Sequence, residues 1–243
     1  MAKERLDKLI SSQSMMTRSE ASKLIRSGNV KVNGDVVKNT SSKADTENDV
    51  IEVCGEVINY KKHIYIMLNK PQGVVSASRD NSEKTVVDLV PDNLKRPGLF
   101  PAGRLDKDTT GFVLITDDGD FAHDILSPRH HVDKTYLAGT DCLIDEEYLV
   151  RMREGMVLGD EKLMPAEIDL VCDSPSPVYR IVLREGRYHQ IKRMTGATNA
   201  VLTSLKRIKM GSLDLDETLA PGECRELSSE EISMIKNVQT LSL

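Results

Sequence analysis

The stretch Gly103-Arg104-Leu105-Asp106-Lys107-Asp108-Thr109-Thr110-Gly111 sets two acids, two bases and two hydroxyls between two glycines. Glycine ends allow a tight backbone path, and charged side chains gathered between them are what a reactive loop needs. The apolar run Phe112-Val113-Leu114-Ile115 follows at once and reads as a strand that would mount the loop. Three chemistries can use such a loop: a carboxylate nucleophile, a phosphoryl-transfer aspartate, or a calcium site. A charged turn between strands is the fourth reading.

Asp106-x-Asp108-x-Thr110 fits the pattern of haloacid-dehalogenase-type phosphatases. Their first aspartate ends a buried strand, whereas Phe-Pro-Ala-Gly-Arg precedes this one. Asp106, Asp108, Thr110, Gly111 and Asp117 match positions of a calcium loop, but the bidentate Glu is missing. His130, His131 and His189 have no acid or Cys at ligand spacing, so no metal is expected. Cys54, Cys142, Cys172 and Cys224 are scattered, which argues against zinc and against a disulfide framework, and suits a reducing cytosol. The N-terminus lacks an apolar leader segment and no run reaches membrane-spanning length, so a cytoplasmic location without membrane association is expected.

The elements that must carry this loop can be read along the chain. With 39% apolar residues and no Trp, a core of aliphatic side chains is expected. The net charge of −5 argues against nucleic acid, but charge distribution decides more than the sum. Residues 1–43 hold nine Lys or Arg against four acids, and residues 44–60 hold five acids and no Lys or Arg. Leu6, Leu9 and Ile10 have helical spacing. Ser19 is placed to cap a second helix with Ala21, Leu24 and Ile25 inside and Arg18, Lys23 and Arg26 outside. Gly28 stops it, Val30–Val37 reads as a hairpin turning at Asn33-Gly34, and Val50–Val53 is a short strand. Residues 54–63 read as a polar linker.

Beyond the linker, strands are predicted at 64–70, 112–116, 134–138, 165–171, 178–184, 202–210 and 213–215. Helices are predicted after Asp120, after Asp145 and after Ser228, with a short helix at 86–89. No βαβ rhythm appears. The fold class is therefore α+β: a small N-terminal domain over 1–59, and a catalytic domain over 60–243 with a mixed, mainly antiparallel sheet flanked by helices.

Two resemblances bear on function. The two helices and hairpin, with Arg5-Leu6-Asp7-Lys8, Ser19-Glu20-Ala21 and Gly28–Gly34, resemble an S4 RNA-binding domain. This implies RNA contacts by Arg5, Lys8, Arg18, Lys23, Arg26 and Lys31. The Gly103–Gly111 stretch, then Lys134-Thr135-Tyr136, then Glu185-Gly186-Arg187-Tyr188-His189-Gln190-Ile191-Lys192-Arg193-Met194, resemble three ordered motifs of the RsuA/RluB branch of pseudouridine synthases. Asp-Thr-Thr-Gly, Ser127–His131 and Glu-Gly-Arg-Tyr-His-Gln look closest to RsuA.

The resemblance implies uridine isomerisation in ribosomal RNA, at the 16S uridine conventionally numbered 516, by a monomer that needs no cofactor because no redox change occurs. It implies Asp106 as the reacting carboxylate, Lys192 as its partner, and Tyr136 stacked on the extruded ring. Arg104, Leu205, Arg187 and Gln190 are implied substrate contacts. A synthase for 23S rRNA of the RluB, RluE or RluF type, and a non-catalytic assembly protein that kept the fold, are the alternatives. After Met194 the chain departs from the branch. Thr195–Ala200 lacks the usual aromatic and glycine turn, and Asn199 is expected to supply a left-handed turn instead.

Overall fold

A computed structural model of the chain describes residues 3–127 and 132–236. The expectations at Pro128–His131 lie outside the described residues. The chain forms two compact units. One runs through Ile64 and takes in Val90–Leu99; the other contains Tyr65–Leu89 and the chain from Phe100 onward.

The first unit comprises β1 (Lys3–Arg5), α1 (Leu6–Ser12), α2 (Arg18–Arg26), β2 (Val30–Val32), β3 (Asp35–Val36), β4 (Lys43–Asp45), β5 (Ile51–Val53) and β6 (Glu56–Val57). Leu6, Leu9 and Ile10 of α1 meet Ala21 and Ile25 of α2 over Val30, Ala44 and Ile51, all buried. The helical spacing of these apolar residues is what makes one face of each helix pack. Thr17, not Ser19, caps α2. Its hydroxyl accepts from the Glu20 backbone N–H while Glu20 accepts from the Thr17 N–H, a capping box that starts the helix one residue before Ser19. Asn33 and Gly34, at φ 52° and 87°, turn β2 into β3. Part of the expected linker is structured, since β6 pairs with β5 across Cys54-Gly55.

The second unit comprises β7 (Tyr65–Lys70), β8 (Phe100–Ala102), β9 (Thr110–Thr116), α3 (Gly119–Leu126), β10 (Lys134–Thr140), α4 (Glu146–Glu154), β11 (Val157–Leu158), β12 (Glu161–Lys162), β13 (Glu167–Cys172), β14 (Val178–Leu183), α5 (Gln190–Gly196), β15 (Leu202–Met210), β16 (Leu213–Asp214), β17 (Cys224–Glu226) and α6 (Ser229–Lys236). Its main sheet runs β13-β14-β10-β15-β9-β7-β17, with β16 on β15 and β8 on β9. Every pairing in it is antiparallel except β9 with β15. The continuous apolar runs of β7 and β9 are buried on both faces, which makes them inner strands.

Helix α3 is capped by Asp118, whose carboxylate accepts from the Phe121 N–H, rather than by the expected Asp120. Ser228 and Glu231 form the capping box that opens α6. Asn199 does not adopt the expected left-handed conformation. Its side chain instead ties the 141–145 loop, donating to the Leu143 carbonyl and accepting from the Asp145 N–H.

Inner strands β7, β9 and β15 converge on one residue. Gly111 pairs with Lys70 on one side and Arg207 on the other. Its φ is +97°, and a Cβ there would lie 2.2 Å from the Arg207 carbonyl oxygen. Both the backbone angle and the close approach of β15 demand glycine. Gly111→Ala is expected to cost about 2 kcal/mol or more. Gly119→Ala, which meets open space in the first turn of α3, is expected to be neutral or slightly stabilising. Calorimetric melting of the two variants checks this.

Candidate active site

The loop between β8 and β9 is anchored from beneath by three side chains. Lys70, at the end of β7, is fully buried. Its ammonium donates to the carbonyls of Thr109 (2.8 Å), Pro71 (3.1 Å) and Lys107 (3.2 Å). Ser76 Oγ donates to the Leu105 carbonyl and accepts from the Leu105 N–H. Arg207, also buried, donates from Nε to the Phe112 carbonyl and from its terminal NH2 nitrogen to the Gly103 carbonyl, both at 2.7 Å. Carbonyls at 103, 105, 107 and 109 thus meet donors from the interior. The side chains of Asp106 and Asp108, between these anchors, keep solvent access.

Burial lowers the Lys70 pKa to about 8, although Asp108 and Asp106 pull it upward; Lys192 adds to the lowering. Burial also lowers Lys134 to about 8, helped by neighbouring Arg207. These are two cations held among carbonyls with few counter-charges.

The second half of the site comes from the turn into α5. Glu185 is buried and accepts from Gln190 Nε2 (2.8 Å), the Met164 N–H (2.8 Å) and Arg187 Nε (3.1 Å). Gln190 Oε1 accepts from the Arg187 N–H. This network folds the turn and leaves His189 in a left-handed conformation at the N-terminus of α5. The first turn of α5 then delivers Lys192. Its ammonium lies 2.9 Å from Asp106 Oδ2 and 2.5 Å from Asp108 Oδ1. Burial works against the Lys192 charge, but the hydrogen bonds it donates to the two carboxylates outweigh it and raise its pKa. Asp108 is held below the usual carboxylate range, first by the Lys192 hydrogen bond. His189 Nε2 lies 3.3 Å from the other Asp106 oxygen.

Every residue that the sequence marked for catalysis or substrate contact lines one narrow cleft: Asp106, Tyr136, Lys192, Arg104, Leu205, Arg187 and Gln190. Tyr136, on β10, and Leu205, on β15, are half-buried against the apolar core below it. Arg104 is exposed and has no ion-pair partner among the described residues. Arg187 is instead tied to Glu185 and Glu161, and the buried Gln190 amide is committed to Glu185 and to the Arg187 backbone. These two therefore shape the wall through internal hydrogen bonds. Asp108 shares the Lys192 ammonium with Asp106.

Sequence reasoning assigned no role to Lys70, Arg207 or Glu185, and weighed His189 as a metal ligand. A Lys ahead of a Pro at a strand end was the available signal for Lys70. The contacts of Arg207, and that of His189 with Asp106, join residues far apart in the chain. Among the described residues no cluster of three or more His, Cys, Asp or Glu could hold a metal ion.

The six basic residues marked for RNA contact lie in the first unit. Arg5 and Arg18 both reach Asp7, Lys8 pairs with Glu4, and Lys31 pairs with Glu52. Lys23 and Arg26 are exposed on α2 with no ion-pair partner among the described residues.

A sheet of this order, with a carboxylate loop facing a lysine on a short helix, defines an enzyme-type cleft on an α+β scaffold. The sequence model of the RNA pseudouridylate synthase family matches residues 64–197, and that of the S4 domain matches residues 4–51. The chain belongs to the RNA pseudouridylate synthase family and carries an S4 domain at its N-terminus. It is 40% identical over 237 residues to a Bacillus subtilis (strain 168) protein described as an uncharacterized RNA pseudouridine synthase, YtzG, covering 97% of this chain and 99% of that one. It is also 40% identical over 233 residues to the ribosomal small subunit pseudouridine synthase A of Escherichia coli (strain K12), covering 95% and 99%. A crystal structure of a pseudouridylate synthase superposes with a TM-score of 0.66 at 40% identity, covering 95% of this chain and 99% of the other.

The lowered pKa of Lys70 gives a stability test. Its folded value lies below 10.5, so the folded state holds the proton less tightly than the unfolded chain. The resulting penalty is full below about pH 8 and fades as pH rises from there toward 10.5. Stability should rise across that window, with Lys134 contributing in the same direction. Lys70→Met is expected to be less stable overall, because three carbonyls lose their donor, and to show a shallower rise. Urea melts over this pH range check it; parallel curves for wild type and variant would refute the assignment.

Proposed function

We propose that this protein isomerises one uridine of small-subunit ribosomal RNA to pseudouridine, at the position conventionally numbered 516, with Asp106 as the reacting carboxylate. The observation that carries this reading is the Lys192 ammonium 2.9 Å from Asp106 Oδ2, in a cleft shared with Tyr136 and Arg104. The likeness over nearly the whole chain to ribosomal small subunit pseudouridine synthase A supports the choice of RNA.

In the reaction the C1′–N1 bond breaks, the uracil turns, and C1′ joins C5. The hydrogen leaves C5 and N1 ends protonated, so the balance needs no external oxidant or reductant. Charge develops on the ribose carbon as the base departs, and a fixed carboxylate stabilises it. Lys192, 2.9 Å from Asp106 Oδ2, holds that carboxylate in place and aimed. Tyr136 and Leu205 offer flat and apolar surface to the uracil. The free Arg104 guanidinium meets phosphate, since a uridine must leave its stack before C1′ can be reached. The S4 unit supplies docking, with Lys23 and Arg26 unpaired. The exposed pairs of Arg5, Lys8, Arg18 and Lys31 are weak enough in water to be exchanged for phosphates.

Asp106→Ala is expected to abolish pseudouridine formation while rRNA binding survives, and Lys192→Met to lower turnover by about a hundredfold or more. Carbodiimide primer extension on small-subunit rRNA from a deletion strain reads the site. A pseudouridine map identical to that of the parent strain sinks the proposal. In filter binding, the joint change of Lys23 and Arg26 to Ala should lower the slope of log Kd against log salt by about one per removed phosphate contact.

A further inference from the structure

Tyr188 is the most exposed large apolar or aromatic side chain among the described residues, at 77%. The chain has only six Tyr and three Phe, with no Trp, so an aromatic ring left in solvent is unusual here. Tyr188 is not a loose side chain. Its ring lies parallel to the His189 imidazole, with centroids 3.8 Å apart and planes 16° from each other. The backbone beneath is fixed: the Tyr188 carbonyl accepts from Arg193 NH1, and Arg193 is in turn held by Glu161. His189 sits in the left-handed conformation that starts α5, and its Nε2 faces Asp106 Oδ1. One ring therefore separates an exposed, ordered aromatic face from the proposed reacting carboxylate. No other ring or cation covers Tyr188 among the described residues.

We propose that the Tyr188–His189 stack is a platform for a nucleobase next to the target uridine, the open face of Tyr188 replacing the stacking partner that the neighbour loses when the uridine is extruded. Any base offers a π-face, so the platform holds RNA in register without reading sequence. A parallel aromatic pair presents that face already ordered, so little side-chain freedom is lost on binding. Base flipping exposes such a neighbour beside every target, within a short reach of the carboxylate. The inference rests on the RNA-isomerase reading above.

The full-length protein, Tyr188→Ala and Tyr188→Phe are compared on small-subunit rRNA transcripts carrying tritium at uridine C5. Filter binding gives Kd, and tritium release gives KM and kcat. Tyr188→Ala is expected to weaken binding by about fivefold to a hundredfold, the range for one base–aromatic stack, and to raise KM in step. Its kcat and melting temperature should stay near those of the wild type, and Tyr188→Phe should behave as wild type. Tyr188→Ala binding within twofold of wild type, or Tyr188→Phe as defective as Tyr188→Ala, overturns the platform. A wild type that binds rRNA but releases no tritium sinks the isomerase reading, while the ratio of Kd values still decides the platform. A wild type that does not bind rRNA overturns both.

Discussion

One ammonium holds this site together. Lys192 contacts Asp106 and Asp108 at once, across 84 or more positions of chain. Two carboxylates two residues apart repel each other when both are ionised, and the shared cation removes that repulsion. The same contact fixes the β8–β9 loop against the start of α5. A single charge therefore decides the aim of the proposed reacting group. Half-buried or exposed side chains suit this arrangement, since a fully buried triad would carry a large desolvation cost.

The contact would be useless on a loose loop, and the underside of the loop explains why it is not loose. Lys70, Ser76 and Arg207 are satisfied by main-chain atoms of the loop rather than by acids. A buried cation with carbonyl partners has nowhere better to go, so it acts as a rigid peg. Gly111 completes the anchoring, because only glycine allows β15 to approach so closely. Rigidity below and solvent access above are what a preorganised reacting group requires.

The first unit follows a different electrostatic logic. An acidic chain can present a basic helix because its acids lie elsewhere or are already paired with Arg5, Lys8, Arg18 and Lys31. Net charge is a poor guide to such a surface, since phosphate responds to local cations within about a Debye length.

The sequence by itself determined the inner strands, the hairpin at Asn33-Gly34, the last helix with its capping box, and seven of the residues that line the cleft. Those signals are local: apolar runs, turn residues, and motifs of fixed spacing. The caps at Thr17 and Asp118 each lie two residues before the expected position, because several hydroxyls or acids stand close together and backbone geometry selects among them. Asn199 used its side chain rather than a left-handed backbone, because the 141–145 loop offered it partners. Only the tertiary structure decided that Asp108 shares Lys192, that Gln190 is committed internally, that Lys70 and Arg207 peg the loop, and that His189 stands beside Asp106. Apart from the Gln190 contacts, which lie within its own turn, each of these joins segments distant in sequence that the main sheet brings together, and no local pattern encodes which donor will meet which carbonyl.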